Sequence, residues 1–275
     1  MSDDMFRQFR DLIYQQTGIY FLDNKKYLLE GRLAKRVQVL NLVDFDSYYQ
    51  LVKFGTRRLE ELPHLYNAIT INETFFFRNE PQFEAFERTL VPQILASRRN
   101  ETQRPLRVWS AASSSGEEAY TLAMIYFERL KPLYPWLNIE IVGTDISHGV
   151  LEIARQGVYR EYSVRNMPKE YLDKYFQRDG VRYHLDSRVR SVVRFDHLNL
   201  FDRPRMRLMS RFDVVFCANV LIYFDTKSKI QVVSDLYDAM NPGGFLFIGY
   251  AESLHGISSA FKLINFPKTV AYKKE

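Results

Sequence analysis

The sequence predicts an α/β protein in which a mostly parallel sheet is covered by helices on both faces. A small antiparallel β-subdomain projects from that sheet, and an all-helical domain precedes it. Three observations predict this. Residues 1–70 show only helical periodicity. From residue 106 onward, short apolar strands alternate with helices, the pattern of a parallel sheet buried on both faces. Within 159–190 the alternation is interrupted by Asp179-Gly180 between two alternating segments, a hairpin signal. The 275 residues thus divide into a helical domain at 1–70, a linker and connecting helix at 71–100, and an α/β domain at 101–275 with the β-subdomain at about 159–191.

In the helical part, Phe6, Phe9, Leu12 and Ile13 fall at helical spacing, and Gly18 ends the helix. Leu29, Leu33, Val37 and Leu40 mark the buried side of a second helix. Asp44 and Thr56 are expected to N-cap two more, with Gly55 as a stop between them. Around the second helix, Lys25, Lys26, Arg32, Lys35 and Arg36 stand against Glu30 alone. Lys25, Arg32 and Arg36 are spaced i, i+7, i+11 and so share one face. That face is either a solvated surface or a docking face for an acidic partner.

Residues 70–80 set three consecutive phenylalanines, Phe75 to Phe77, among Asn72, Thr74 and Arg78. This fits neither a helix face nor an alternating strand. It reads as a hinge core or a pocket wall, because buried polar groups here would need partners. Pro81 then sits near the first turn of a helix that buries Phe83, Phe86, Leu90 and Ile94.

The stretch from Val108 to Tyr120 organises the α/β part. A strand at 106–109 breaks into seven small residues, Ser110 to Gly116, before a helix starts at Glu117. Such a turn lets backbone approach a ligand, and the helix start offers free N–H groups. A second strand at 139–143 ends at Asp145, where an acid is placed to accept hydrogen bonds from ribose hydroxyls. The turn has one glycine and no lysine, so neither diphosphate-binding pattern is present. Glu117 and Glu118 would repel phosphate but suit a cationic nucleoside such as S-adenosylmethionine, unless they serve only to cap the helix.

Further strands are expected at 192–195, 212–216 and 245–249, with helices starting near Ser147 and Thr226 and a closing hairpin at 261–264 and 269–272. Asn219 and Tyr223 follow the 212–216 strand, at the end where ligands bind in open α/β sheets. Asn241-Pro-Gly-Gly is expected to turn into the fifth strand.

Bulk properties narrow the classes. The start has no basic and apolar leader pattern, and no apolar run reaches a membrane-spanning length. The single cysteine, Cys217, excludes an internal disulfide and a multi-cysteine zinc site, and it fits a cytoplasmic location. The net charge of +5 admits nucleic acid or acidic protein as partner.

The ordered set of segments resembles the CheR-type chemotaxis receptor methyltransferases over nearly the whole chain. It comprises the helical domain, Thr-x-Asn-x-Thr with Phe-Phe-Arg in the linker, Trp-Ser-Ala through Ser-Gly-Glu-Glu, Asp145, Asn199-Leu200, Asn219-Val-Leu-Ile-Tyr-Phe-Asp, and Pro-Gly-Gly followed by Glu-Ser. The resemblance implies a Rossmann-like S-adenosylmethionine-dependent methyltransferase domain that esterifies glutamate side chains of chemoreceptors, with no metal. It implies cofactor contacts at Asn72, Thr74, Arg78, Glu118, Asp145, Asn199, Leu200, Asn219 and Val220, with Leu200 as an apolar wall for adenine. Arg78 and Tyr223 would face the reacting centre, and S-adenosylhomocysteine would be the product. The basic residues Lys25, Arg32, Lys35 and Arg36 would dock cytoplasmic helical segments of the receptor.

Two departures leave these positions untouched: Ala218 stands where the family often has arginine, and Gly249-Tyr250-Ala251-Glu252-Ser253 replaces Gly-His-Ser-Glu-Ser. The short Asp179-Gly180 turn lacks the longer loop with which some members grip a receptor pentapeptide, so pentapeptide-independent docking is expected. A nucleic-acid methyltransferase is the enzymatic alternative, favoured by nine arginines between 178 and 211. No Asn/Asp-Pro-Pro-Tyr motif and no Pro-Cys nucleophile support it, and no nucleic-acid partner is expected. A silent S-adenosylmethionine-sensing scaffold would be expected to lack Asn72, Arg78, Asp145 or Tyr223, and all are present.

Overall fold

The computed structural model describes residues 1–98 and 104–275. The expected boundary between residues 100 and 101 therefore lies outside the described residues. Helix α1 (Asp3–Thr17) is capped by Ser2, carries Asp3 and Asp4 in its first turn, and ends at Gly18 with φ of +72°. A 3-10 turn at Asp23–Lys25 leads into α2 (Lys26–Val39), which buries Leu29 and Leu33. Asp44 caps α3 (Phe45–Phe54) by accepting from the Ser47 N–H at 2.9 Å.

The expected Thr56 cap does not form. Arg58 N–H donates to the Gly55 carbonyl, so the turn consumes Thr56 and α4 (Arg58–Ile69) starts one residue later, behind Arg57. Glu60 and Glu61 in its first turn supply negative charge at the helix start instead. The four helices share one apolar core, in which the Phe9 ring meets Tyr49 edge-on at 5.3 Å.

The connecting helix is α5 (Glu80–Ala85), a π-turn at Phe86–Leu90, and α6 (Val91–Ser97). The same construction recurs after the first strand as α7 (Glu117–Ile125), a π-turn at Tyr126–Leu130 and α8 (Lys131–Leu133). Both wide turns precede a proline, Pro92 or Pro132. Proline lacks an N–H and its ring crowds the preceding turn, and the widened turn relieves both. Val91 and Lys131 accordingly donate five residues back, to Phe86 and Tyr126.

Strands β1 (Leu106–Ala111), β2 (Ile139–Asp145), β3 (Val158–Arg160), β4 (Phe176–Asp179), β5 (Arg182–Leu185), β6 (Val193–His197), β7 (Phe212–Cys217), β8 (Met240–Ile248), β9 (Phe261–Phe266) and β10 (Thr269–Lys274) form two sheets. The large one has the order β6-β2-β1-β7-β8-β10-β9, parallel through β8 and antiparallel at β10 and β9. Asn241 to Gly244 is not a turn before a strand, as expected, but a bulge inside β8. Met240 pairs with Phe212, and pairing resumes at Phe245 opposite Val214. The small sheet, β3-β5-β4, is the expected β-subdomain. Its two-residue turn is Gly180-Val181, because Asp179 still pairs with Arg182.

Alternate residues of the strands feed two cores. Val108, Ile141, Val214 and Phe216 face α5, α6 and α7, while Trp109, Val142 and Val215 face the other side. There they meet α14 (Thr226–Ala239), after the shorter helices α9 (His148–Gln156), α10 (Glu161–Val164), α11 (Lys169–Tyr175), α12 (Ser187–Ser191) and α13 (Arg203–Met206). Burial on both faces explains why the parallel strands read as continuous apolar runs.

Candidate active site

Strand β1 lies between β2 and β7, so chain order reverses beside it and leaves a crevice at the carboxyl ends of the strands. The helical domain closes that crevice. Ile19 bridges Phe224, the Tyr20 N–H donates to the Tyr223 carbonyl at 3.0 Å, and the Tyr14 hydroxyl donates to Asp225 at 3.0 Å. The Asn199 amide donates to the Gln16 carbonyl at 2.7 Å. Between the two parts is a cavity of about 370 Å³, of a size that holds a nucleoside-sized molecule.

Asn72, Thr74, Arg78, Glu118, Asp145, Asn199, Leu200, Asn219, Val220 and Tyr223 all line this cavity. Asp145 ends β2 and is buried; its carboxylate accepts from the Ser147 and Ser114 N–H groups, each at 2.9 Å. Each of its oxygens keeps a further lone pair. Burial pushes its pKa up to about 6, against the pull of those N–H groups. Glu118 accepts from the Ser110 hydroxyl at 2.7 Å, and burial pushes it up to about 7 despite the Arg78 charge. Among the described residues, neither carboxylate has an ion-pair partner within 4.0 Å.

Glu117 turns the other way. It is buried and accepts from the Ser115 and Ser163 hydroxyls at 2.7 and 2.9 Å, which ties α7 to the β-subdomain. The adjacent acids thus part into one structural group and one cavity group.

The turn between them takes its shape from left-handed residues, Ala112 at φ +63°, Ser114 at +50° and Gly116 at +92°. A Cβ on Gly116 would lie 2.8 Å from the Phe195 ring, so both glycine's conformation and its size are used. On the opposite wall, Asn219 is held at φ +62°. Glu252 fixes it there by accepting from the N–H groups of Asn219, Ile222 and Gly249, at 3.0, 3.0 and 2.6 Å.

Arg78 is exposed at the cavity and donates to the Glu73 carbonyl. Tyr223 is half-buried, and burial raises its pKa against the opposing charges of Arg78 and Arg32. It is therefore a protonated hydroxyl, a donor, at neutral pH. Phe76 is fully buried against Tyr159 and Phe176, whereas Phe75 faces the cavity.

The basic face expected on α2 is not one face. Lys25 precedes the helix and, with Arg32, lines the cavity. Arg32 also donates to the Ile69 carbonyl, and burial lowers its pKa. Arg36 turns inward and meets buried Glu61 through two bonds at 2.8 Å, with the Tyr48 hydroxyl donating to the same carboxylate at 2.9 Å. The charge of Arg36, expected as a docking residue, is thus answered within the helical domain. Lys35 alone of the four stands exposed and outside the cavity.

Three contributions went unread in the sequence. Ile19 to Leu22 line the cavity from the helical domain, signalled only by an apolar run after Gly18. Ile146 and Leu198 add apolar walls beside Asp145 and Asn199. Glu252's role went unread because two of its three partners, Asn219 and Ile222, are thirty or more residues upstream. Among the described residues, no group of three or more His, Cys, Asp or Glu side chains is placed to hold a metal ion. No described helix is long and apolar enough to cross a membrane.

Residues 4–70 match the model of the CheR methyltransferase all-alpha domain, and residues 72–270 match that of the CheR methyltransferase SAM binding domain. The chain is 38% identical to chemotaxis protein methyltransferase 2 of Vibrio cholerae over 100% of its own length and 94% of that protein's. It is 35% identical to the chemotaxis protein methyltransferase of Vibrio parahaemolyticus, covering 99% and 98% of the two chains. It is 31% identical to that of Borreliella burgdorferi, covering 99% and 94%.

Proposed function

The chain belongs to the CheR methyltransferase family, and from that premise we propose that it transfers the methyl group of S-adenosylmethionine to glutamate side chains of chemoreceptors, forming glutamate 5-O-methyl esters. The names of its relatives, chemotaxis protein methyltransferases, support receptor substrates. The observation that carries the reading is a cavity lined by two carboxylates, buried Asp145 and partly buried Glu118, that lack an ion-pair partner among the described residues. Buried acids favour a ligand that brings hydroxyl donors to one and positive charge to the other. Beside these two acids a phosphate is disfavoured.

S-adenosylmethionine supplies an electrophilic methyl group when bound. Asp145 would accept from its ribose hydroxyls, and Glu118 would face its cationic amino acid end. Ile146, Leu198 and Leu200 would wall the base, and Asn72, Thr74, Asn199, Asn219 and Val220 would complete the cradle. A glutamate carboxylate is ionised at neutral pH, with a reference pKa near 4.3, so no general base is required. What remains is alignment in a dry site, worth about 7–11 kcal/mol when reactants are held in line. Arg78 would orient the incoming carboxylate, Tyr223 would donate beside it, and Phe75 would exclude water. The two-residue turn at Gly180-Val181 supports docking that does not use a receptor pentapeptide.

The test is methyl transfer to a purified receptor fragment, followed by mild base. Release of the label as methanol is expected, and a base-stable product would overturn the ester. Arg78→Ala should lower kcat/KM by at least about 100-fold, the range for losing an oriented charged contact. Near-normal turnover would remove Arg78 from the reacting centre.

A further inference from the structure

His197 ends β6 and is the register partner of Asp145 at the end of β2. Its ring is held on three sides. Nε2 lies 3.0 Å from the Ile146 carbonyl oxygen. A carbonyl only accepts, so Nε2 must carry the proton. Nδ1 lies 3.3 Å from a guanidinium nitrogen of Arg205, which only donates, so Nδ1 must present its lone pair. Together the two contacts select one neutral tautomer. His148 stacks on the third side, with centroids 4.0 Å apart and planes 5° from parallel.

What the ring holds is the segment that carries the buried carboxylate. Ile146 follows Asp145 and lines the cavity. Leu198 follows His197, lines the cavity as well, and donates its N–H to the Asp145 carbonyl at 3.0 Å. The Leu198 N–H therefore ties β6 to the carbonyl of Asp145 itself, and His197 ties it to the next carbonyl, that of Ile146. The two attachments hold consecutive peptide groups directly after the Asp145 side chain.

We infer that His197 is a positioning residue: as its neutral Nε2–H tautomer it fixes the Ile146 carbonyl, and through it sets the affinity of the cavity for an adenosyl ligand. This rests on the proposed S-adenosylmethionine site, and it assigns a role to a group that touches no ligand. The surroundings support the neutral form. His148 and Arg155 of α9 and Arg205 of α13 all oppose a charge on the stacked pair, while the Ile146 carbonyl and Asp202 favour one on His197. Arg194 and Asp196, on the strand of His197 itself, are paired with each other at 2.8 Å. Burial and these neighbours hold His197 below the usual imidazole range. Protonation would set an Nδ1–H against the Arg205 donor.

The experiment is titration of S-adenosylhomocysteine into the full chain and its variants at pH 8, where both cavity carboxylates are ionised. His197→Leu should weaken binding about tenfold, the upper range for one lost hydrogen bond. His197→Gln retains a donor and should stay within about threefold of the unaltered protein. At saturating S-adenosylmethionine, both variants should keep kcat and the receptor KM within about twofold. Nitrogen NMR of the imidazoles in the unaltered protein should show His197 as the Nε2–H tautomer, which tests the assignment even if a variant fails to fold. An affinity for His197→Leu within twofold of normal, a Gln variant as weak as the Leu variant, or an Nδ1–H tautomer would each overturn the inference. Failure of the unaltered protein to bind would instead overturn the cofactor site, and this role with it.

Discussion

Two regions bury carboxylates, and they treat them differently. In the helical domain, Glu61 is met by Arg36 through two bonds and by the Tyr48 hydroxyl, so its charge is answered by the fold. At the strand ends, Asp145 and Glu118 receive only N–H and hydroxyl donors, and their pKa values rise. A buried charge that folding satisfies marks a structural post. One that folding leaves to hydrogen bonds alone marks a place where a ligand completes the electrostatics. The same contrast separates neighbours in sequence, since Glu117 is bonded within the fold and Glu118 faces the cavity.

The largest expected effect tests the structural side. Glu61→Leu should destabilise the protein by about 3 kcal/mol, because it strands Arg36 beside an apolar core. Urea unfolding measures this, and a loss under about 1 kcal/mol would break the distinction. Asp145→Ala should show the reverse profile, with little loss of ligand-free stability but roughly 100-fold weaker S-adenosylmethionine binding, as expected when hydrogen bonds to a charged group are lost. Calorimetric titration of the variant against the unaltered chain decides it.

Next comes pH. A carboxyl whose folded pKa is raised binds more protons folded than unfolded, so it stabilises the ligand-free protein fully at low pH. That contribution disappears as pH rises from about 4, the usual carboxyl value, through about 6 for Asp145 and about 7 for Glu118. Ligand affinity should move oppositely, rising by up to about tenfold per pH unit between 6 and 7, more steeply below 6 where both acids titrate, and levelling above 7. The thermal shift produced by S-adenosylhomocysteine, followed from pH 5.5 to 8, should therefore grow with pH, and a flat response would show that neither acid meets the ligand. The smallest effect concerns the rim. Lys25→Glu should raise the receptor KM only a few-fold, and less at high salt, as for an exposed charge that steers an acidic partner.

Much of the sheet region was legible because its constraints are local. Asp145 ends a strand, the small residues after β1, from Ala112 to Gly116, make a turn, and Asn219 follows a strand, so each can be placed by counting along the chain. The fate of the α2 arginines was not. Helical spacing puts Arg32 and Arg36 on one side, but which side is covered depends on α4, whose Glu61 and Ile69 carbonyl receive them. The Thr56 cap failed for a smaller reason, a competing turn begun by the Gly55 carbonyl. The bulge at Asn241 to Gly244 looked like a turn because turn residues also suit a bulge, and only pairing with Phe212 and Val214 distinguishes them.

The bond from the Tyr20 amide to the Tyr223 carbonyl links the helical domain to the loop that carries Tyr223 at the cavity. Any movement that lifts one from the other must break it. Hydrogen–deuterium exchange at this single amide therefore counts separations of the two domains, second by second, without any label at the cavity. If exchange there slows when ligand binds while exchange in the Phe9 and Tyr48 core does not, the two domains separate as units. If both slow together, the helical domain opens from within.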